Sequence, residues 1–241
     1  MRYIGSKNRV SKYLVPVIQT YINDNCKGYI EPFVGGANVI DKVKCNNKIG
    51  YDINKYLIAL LNHVKITTDD IPEEITREHY YDVKDNKNNY EDWYVGLIGF
   101  CGSFGSKFFG SYATNGNNPK YRNTPYYESK NNIIKQSINL KDINFECKDY
   151  KELHSLSGCV IYCDPPYKGT YNYKLDFNHD DFYEWVRKMS VNIIVLVSEY
   201  EMPDDFICIW EKQYKSSLSK DNKNLLKTER LFMYKNGIKS L

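Results

Sequence analysis

One short stretch, "VIYCDPPY", restricts the possible fold more than any other part of the chain. Its first four residues, 160–163, are largely apolar, as is typical of a central strand that is buried on both faces of a parallel sheet. Pro165 and Pro166 cannot donate to a strand ladder, so the strand must end before them. Asp164 is therefore predicted to lie at the carboxyl edge of the sheet, where open α/β sheets bind ligands.

The rest of the chain fits such a sheet, because strand-like and helix-like segments alternate along it. The first half of the alternation is predicted as a helix over residues 10–21, with Pro16 as a kink or restart, a strand over 28–31, a glycine turn with a helix from about Asn38, a strand over 48–51 and a helix over 54–64. Later in the chain, strands are predicted over 143–147 and 159–163, followed by a helix over 180–189 and a strand within 192–200. The runs 206–214 and 229–235 are predicted to form an antiparallel pair at the edge of the sheet. These patterns predict an α/β fold.

The alternation lapses between residues 65 and 139, which we predict to be an inserted lobe. Helices are expected over about 90–101 and 125–139, the second capped by Thr124. The charge of the lobe is uneven, since residues 65–98 carry four basic and nine acidic side chains whereas 99–135 carry five basic and one acidic. The predicted domains are therefore 1–64 with 140–241, and the lobe 65–139.

The basic part of the lobe is a candidate nucleic-acid surface, because eight aromatic residues accompany its positive charge. The predicted phosphate or base contacts are Lys107, Lys120, Arg122 and Lys130. About half of the aromatic residues are expected to form a helix core instead, among them Phe100, Phe104 and Phe108 at i, i+4 spacing. Residues 1–13 and 212–241 are basic as well, although solvated faces would explain such runs equally well.

The cysteines and the hydropathy restrict the class of protein further. Seven cysteines without a CxxC pair or a Cys/His cluster argue against a zinc site, and we expect reduced core thiols and no metal. Neither a signal peptide nor a membrane span is predicted. The expected location is the cytoplasm.

The residues after the central strand predict a pocket that only accepts hydrogen bonds. The two prolines lack N–H groups and hold bare carbonyls beside the Asp164 carboxylate. A group with two protons to donate, such as the exocyclic amine of a nucleobase, fits this pocket, and Tyr167 offers a ring for stacking. A rigid structural turn is the alternative reading of these four residues.

Two weaker signals suggest that a nucleoside binds at the same edge. The Gly35-Gly36 turn after the first strand would let backbone amides approach a ligand, although a tight turn without a ligand is the alternative. Asp52, at the end of the next strand, could accept hydrogen bonds from both hydroxyls of a ribose, or it could cap the following helix.

Several motifs in a fixed order resemble the Dam-like DNA adenine methylase family of the α group, the D12 class of N6-adenine methylases. They are "RYIGSKNRV", "EPFVGGANV", "YDINKYL" and "DPPY", followed by the strands "NIIVLVSEY" and "TERLFMY", and they cover nearly the whole chain. The resemblance implies a Rossmann-like methyltransferase sheet with a small helical recognition lobe. It also implies methyl transfer from S-adenosylmethionine to adenine N6 in double-stranded DNA, after the base is flipped out of the duplex.

The resemblance assigns roles to individual residues. It implies catalytic roles for the tetrapeptide Asp164, Pro165, Pro166 and Tyr167. It also implies that S-adenosylmethionine is bound by Tyr3, Lys7, Glu31, Phe33, Gly35, Asp52, Asp149 and Asp164. Asp149 could equally cap a helix. Tyr171 and Tyr173 could shape a loop over the substrate or be surface turn residues, and His179 is predicted to begin a helix rather than to act as a base.

Alternatives of two kinds remain open from the sequence. The pocket recognises an amino group and not a ring, so N4 methylation of cytosine is an enzymatic alternative, and a catalytically silent DNA-binding homologue is another. Cytosine C5 chemistry would need an activated cysteine, and Cys159 and Cys163 are predicted to be core residues. We expect a monomer or weak dimer from a bacterial cell or a phage-infected host, and the short lobe leaves the recognised DNA site open.

Overall fold

The computed structural model describes residues 1–114, 124–154, 156–168, 177–215 and 226–237. Lys120, Arg122, Tyr171 and Tyr173 lie outside these residues. The main elements in chain order are α1 (Ser11–Gln19), β1 (Gly28–Glu31), β2 (Lys48–Asp52), α2 (Lys55–Val64), α3 (Arg77–Asp85), α4 (Asp92–Cys101), α5 (Thr124–Ser137), β3 (Ile143–Cys147), β4 (Cys159–Cys163), α6 (His179–Met189), β5 (Ile194–Glu199), β6 (Phe206–Lys215) and β7 (Leu226–Tyr234).

The strands form a seven-stranded sheet in the order β3-β2-β1-β4-β5-β7-β6. β4 is parallel to both β1 and β5, and β7 runs antiparallel to both β5 and β6. This arrangement confirms the predicted α/β class and the antiparallel pair at one edge. Helix α1 continues through Pro16, so the proline does not restart it.

The chain divides into two compact units. Unit 1 contains residues 1–7, 34–42 and 50–148, and unit 2 contains residues 8–33, 43–49 and 149–241. The predicted lobe 65–139 lies wholly within unit 1, together with α2, β3 and the turn around Gly35. The lobe boundaries themselves stay a prediction.

The core of unit 2 is built on the parallel strands. Every residue of β1 and β5 is buried, and so are residues 160–163 of β4, as the apolar run predicts. Register pairs such as Ile30 with Ile161 and Cys163 with Val197 align the carboxyl ends of the three strands. Burial of these side chains on both faces supplies the main hydrophobic stabilisation of this unit.

The core of unit 1 is largely helical. α4 approaches α2 so closely that a Cβ at Gly96 would lie 2.2 Å from the Tyr56 carbonyl oxygen, so only glycine fits there. Asn54 caps α2 by accepting hydrogen bonds from the amides of Tyr56 and Leu57 at 3.1 and 3.2 Å. The cap explains why the helix begins directly after Asn54.

Two expectations from the sequence were wrong. No helix begins near Asn38, because the backbone turns through positive φ at Gly35 and Ala37, and the buried Asn38 side chain donates to the Met1 carbonyl at 3.0 Å. All seven cysteines are free thiols, but only Cys101 and Cys163 are buried. The others are not core residues, since exposed or half-buried sites accept a small thiol equally well.

Among the described residues, no helix is both long and apolar enough to cross a membrane.

Candidate active site

Three carboxylates lie at the aligned carboxyl ends of the parallel strands in unit 2. Glu31 and Glu199 are the last residues of β1 and β5, and Asp164 directly follows β4. Glu31 is 3% exposed and Glu199 is 1% exposed, whereas Asp164 is half-buried. The sequence prediction for Asp164 is thus confirmed in its position, at the edge where such sheets bind ligands.

Tyr167 is held by contacts that fix both its hydroxyl and its ring. Its O–H donates to a carboxylate oxygen of Glu229, a residue of β7 that is 2% exposed. Its ring meets the Tyr200 ring edge to face, with centroids 4.7 Å apart. Burial, followed by the charges of Asp164 and Glu229, raises the pKa of Tyr167 well above its ordinary value, so the phenol stays protonated and can donate.

The backbone on either side of this tyrosine is braced as well. The Glu199 carboxylate accepts the amides of Tyr200 and Lys168, at 2.7 and 3.2 Å. His179, the first residue of α6 as predicted, lies with Nε2 2.9 Å from the Pro166 carbonyl oxygen. That oxygen can only accept, so His179 donates, and the prediction of bare carbonyls after both prolines is wrong for Pro166.

Glu199 and Glu229 were not recognised from the sequence as part of this site. Each is an acid inside an otherwise apolar strand, in "IVLVSE" and "TERLFMY". A carboxylate in such a strand must be satisfied by hydrogen bonds, and this is the signal that could have found both.

The cysteines of β4 show no sign of nucleophilic activation. Burial, reinforced by the charges of Asp164 and Glu31, raises the pKa of Cys163 well above its ordinary value. Burial also raises the pKa of Cys159. Thiols in this state are poor nucleophiles, which agrees with the expectation that the chemistry needs no cysteine.

Phe33 and Asp149, both predicted cofactor residues, have structural partners in unit 2. The half-buried Phe33 ring lies 5.3 Å from Tyr150 and 5.6 Å from Phe182, centroid to centroid. Asp149 accepts the Lys151 amide at 2.9 Å in a capping box completed by Glu152. The capping role considered for Asp149 is confirmed, while its role toward a cofactor stays a prediction.

In unit 1, Asp52 presents a carboxylate that is tied only to backbone amides in the contacts described. Its Oδ2 accepts from the Gly35 amide at 3.2 Å, and its Oδ1 accepts from the Asn54 amide at 3.0 Å. Burial raises the pKa of Asp52 to about 6, although these amides pull it down. The Ile53 amide is a third donor to this carboxylate, which has about four lone-pair sites, so a site remains for a hydroxyl donor of a ligand.

The turn before Asp52 packs tightly against Tyr3, another predicted cofactor residue. Gly35 has φ +48°, and a Cβ there would lie 3.0 Å from Cε1 of the Tyr3 ring. The Tyr3 ring in turn lies 5.6 Å from the Phe100 ring. Gly35 is thus required both by its positive φ and by its contact with the Tyr3 ring.

Lys7, another predicted cofactor residue, is 8% exposed, an unusual degree of burial for a lysine.

Gln136 on α5, which the sequence did not single out, braces the same turn. Its Nε2 lies 3.1 Å from the Gly36 carbonyl oxygen, 3.0 Å from that of Ala37 and 3.0 Å from Oδ2 of Asp41. The side chain is 7% exposed, so its polar atoms must be satisfied within the protein. A contact across about a hundred residues leaves no local sequence signal.

Lys107 and Lys130, the predicted DNA contacts that the structure describes, differ in their surroundings. Lys107 is exposed. Lys130 is 7% exposed, and its Nζ lies 2.7 Å from Oε1 of Glu73, so a phosphate contact would require this pair to break. Among the predicted aromatic residues, Phe100 is buried and Phe104 is 70% exposed, beyond the end of α4.

A model of the family described as D12 class N6 adenine-specific DNA methyltransferase matches residues 3–194 of the chain. The chain is also similar to curated proteins that include two type II methyltransferases and a DNA adenine methylase. It is 26% identical over 220 residues to the type II methyltransferase M.FokI of Planomicrobium okeanokoites, an alignment that covers 80% of this chain and 32% of the relative.

The second is the type II methyltransferase M.MjaIII of Methanocaldococcus jannaschii, 28% identical over 224 residues with 75% of both chains covered. The third is the DNA adenine methylase of Escherichia coli strain K12, 28% identical over 157 residues, which cover 57% of this chain and 55% of the relative. The chain thus spans about a third of the M.FokI protein and about half of the DNA adenine methylase.

Proposed function

Because the chain belongs to the D12 class of N6 adenine-specific DNA methyltransferases, we propose that it methylates the N6 amino group of adenine in duplex DNA, with S-adenosylmethionine as the methyl donor. The observation that carries this proposal is the braced segment after β4. There Asp164 lies at the carboxyl edge of the sheet, where open α/β sheets bind ligands, and Tyr167 is held by both its hydroxyl and its ring.

The residues of unit 1 fit the ribose of S-adenosylmethionine. The Asp52 carboxylate has a lone-pair site left for a ribose hydroxyl, and its raised pKa supports this role, because a hydroxyl donor would replace lost water. The glycine turn that binds Asp52 is fixed by Tyr3 and Gln136. S-adenosylmethionine, when bound, would supply an electrophilic methyl group on a positively charged sulfur, and breaking of that sulfur–carbon bond would leave S-adenosylhomocysteine as the product.

The other proposed cofactor residues follow from the family motifs that they match. Lys7 and the segment from Glu31 to Gly35, including Phe33, are proposed to bind the methionine part. Asp149 is proposed to lie toward the adenine of the cofactor, a role that its capping hydrogen bonds permit since an ionised carboxylate accepts several donors.

In unit 2, Asp164 and Pro165 are proposed to accept the two amino protons of the target adenine. The amino lone pair is delocalised into the ring, and hydrogen bonds to a carboxylate and a carbonyl favour the charge that builds on nitrogen. The Asp164 carboxylate can also hold the proton that nitrogen loses. Pro166, whose carbonyl is bound by His179, then acts by fixing the backbone.

The target adenine must leave the duplex to reach such a pocket. Tyr167 is proposed to stack on the extruded base, with its ring orientation set by Glu229 and Tyr200. Lobe residues, among them Lys107, Lys120 and Arg122, are proposed to contact the duplex. Replacing Lys107 with Ala should reduce the salt dependence of DNA binding, and an unchanged slope would remove it from this set.

Sequencing of modified bases in DNA from cells that express the chain tests the proposal directly. The wild type should introduce N6-methyladenine, and Asp164→Ala should abolish it while S-adenosylmethionine affinity is largely retained. Asp24→Ala is the matched control, because Asp24 is an exposed acid of the same unit. Full methylation by Asp164→Ala would contradict the role of Asp164, and N4-methylcytosine as the product would contradict the assigned base.

A further inference from the structure

One lysine from each of two basic stretches of the sequence, Lys12 and Lys212, contacts the same aromatic ring on the surface of unit 2. The Nζ of Lys12, on α1, lies 4.8 Å from the centroid of the Tyr13 ring. The Nζ of Lys212, on β6, lies 4.6 Å from the same centroid. The Tyr13 side chain is 40% exposed, so two ammonium groups flank an accessible aromatic ring.

Among the described residues neither Lys12 nor Lys212 forms an ion pair, although the buried Glu229 carboxylate lies opposite Lys212 on the same face of the strand pair. α1 contains no acidic residue, and Lys12 stands in its first turn, where a cation opposes the helix dipole. Glu211 precedes Lys212 on the strand, so it points to the opposite face, where it pairs with Arg230 at 3.3 Å. Glu229 receives the Tyr167 hydroxyl, and neither lysine is held in an ion pair, so both ammonium groups can bind an anion.

The strand register places this cluster beside the braced segment of the active site. Lys212 is paired with Glu229, and residues directly opposite in an antiparallel ladder share a face. Glu229 is the residue that receives the Tyr167 hydroxyl. An anion held by Lys12 and Lys212 would thus lie near the tyrosine that is proposed to stack on the extruded base.

We propose that Lys12, Tyr13 and Lys212 form a phosphate-binding patch for the DNA backbone close to the extruded nucleotide. This inference rests on the proposed function, since it takes duplex DNA as the substrate. Lysines packed on an accessible aromatic ring suit a nucleic-acid backbone, because the ammonium groups neutralise phosphates while the ring offers a surface to sugar or base.

The test compares Lys12→Ala/Lys212→Ala with the wild type in duplex-DNA binding over a range of salt concentrations. Loss of two phosphate contacts should reduce the slope of log affinity against log salt by about 1.8. The loss of affinity should be the same for duplexes with and without the target site, because phosphate contacts carry no sequence information. In methylation assays the KM for DNA should rise while kcat is unchanged.

Lys188→Ala is the matched control, since Lys188 is an exposed lysine on α6 of the same unit. Lys12→Arg/Lys212→Arg should restore the slope. A double alanine variant with the slope and affinity of Lys188→Ala would overturn the patch, and so would a loss confined to target-containing duplexes. The patch would also be overturned if the double alanine variant bound duplex DNA like the wild type but was no longer retained on polyglutamate, because the lysines would then bind an acidic protein rather than DNA. Wild-type protein without affinity for duplex DNA would remove the proposed function and the patch together.

Discussion

Replacing Asp52 with Asn should change how the stability of the free protein depends on pH. The folded protein holds the Asp52 pKa at about 6, against 3.8 in the unfolded chain, because burial outweighs the amides of Gly35 and Asn54. The folded state therefore binds this proton more tightly. The stabilisation is fully present below the unfolded pKa and is lost as the pH rises through the folded pKa.

The two pKa values set the size of the effect. As the pH rises from about 5 to about 7.5, ionisation of Asp52 should lower the free energy of unfolding of the wild type by about 1.4 kcal/mol. The carboxamide introduced by Asp52→Asn cannot titrate, so the variant should lose none of this amount. The figure is an upper value, because Asp52 keeps part of its surface in solvent.

Urea unfolding followed by tryptophan fluorescence, at both pH values and without cofactor, measures the difference. The free energy of unfolding of the wild type minus that of Asp52→Asn should fall by about 1 kcal/mol as the pH rises. Asp24→Asn, at an exposed site, should leave the wild-type dependence unchanged. If the wild type and Asp52→Asn differ by a constant amount across the interval, the argument that Asp52 is a desolvated carboxylate fails.

Three further predictions concern the same two units. S-adenosylmethionine binding should weaken below about pH 6 as Asp52 takes up its proton, and isothermal titration should show that this pH dependence is absent in Asp52→Asn. Tyr167→Phe and Glu229→Gln should each reduce methylation, and a double-mutant cycle should give a coupling energy of about 0.5–3 kcal/mol. If the two losses are additive, the Tyr167–Glu229 hydrogen bond does not contribute to activity. Gln136→Leu should weaken S-adenosylmethionine binding and destabilise the protein by about 2 kcal/mol, because the Gly36 and Ala37 carbonyls lose their buried hydrogen-bond donor. Wild-type affinity of this variant for S-adenosylmethionine would show that cofactor binding does not depend on the Gln136 hydrogen bonds.

Elements defined by local pattern were predicted well from the sequence. The predicted bounds of β3 and β4 agree with the structure, and α2 begins one residue after the predicted start because Asn54 is its cap. In each case an apolar run or a cap residue carries the information within a few positions. The same locality placed Asp52 and Asp164 at the ends of their strands.

Features that depend on distant contacts could not be predicted. The segment after Gly35 reads as a helix start, but the structure holds it in turns through Ala37 at positive φ and through the amide of Gln136. The carbonyl of Pro166 reads as bare, but His179 binds it from α6. A local sequence pattern indicates which backbone conformation a segment prefers, and in both segments hydrogen bonds to residues distant in sequence override that preference.

The reversed direction of β7 explains how Glu229 reaches the active-site segment. The parallel strands β4 and β5 end at the edge where such sheets bind ligands, so a parallel neighbour would bring its last residues to that edge. β7 runs the other way, with Arg230 paired to Glu199, so its early residues reach the edge instead. Glu229, the fourth residue of β7, thereby meets Tyr167, although 62 residues separate them in sequence. A sheet with β7 reversed to parallel would carry Glu229 away from this edge, so the antiparallel direction of β7 is what allows Glu229 to hold Tyr167 in the orientation that the proposed stacking role requires.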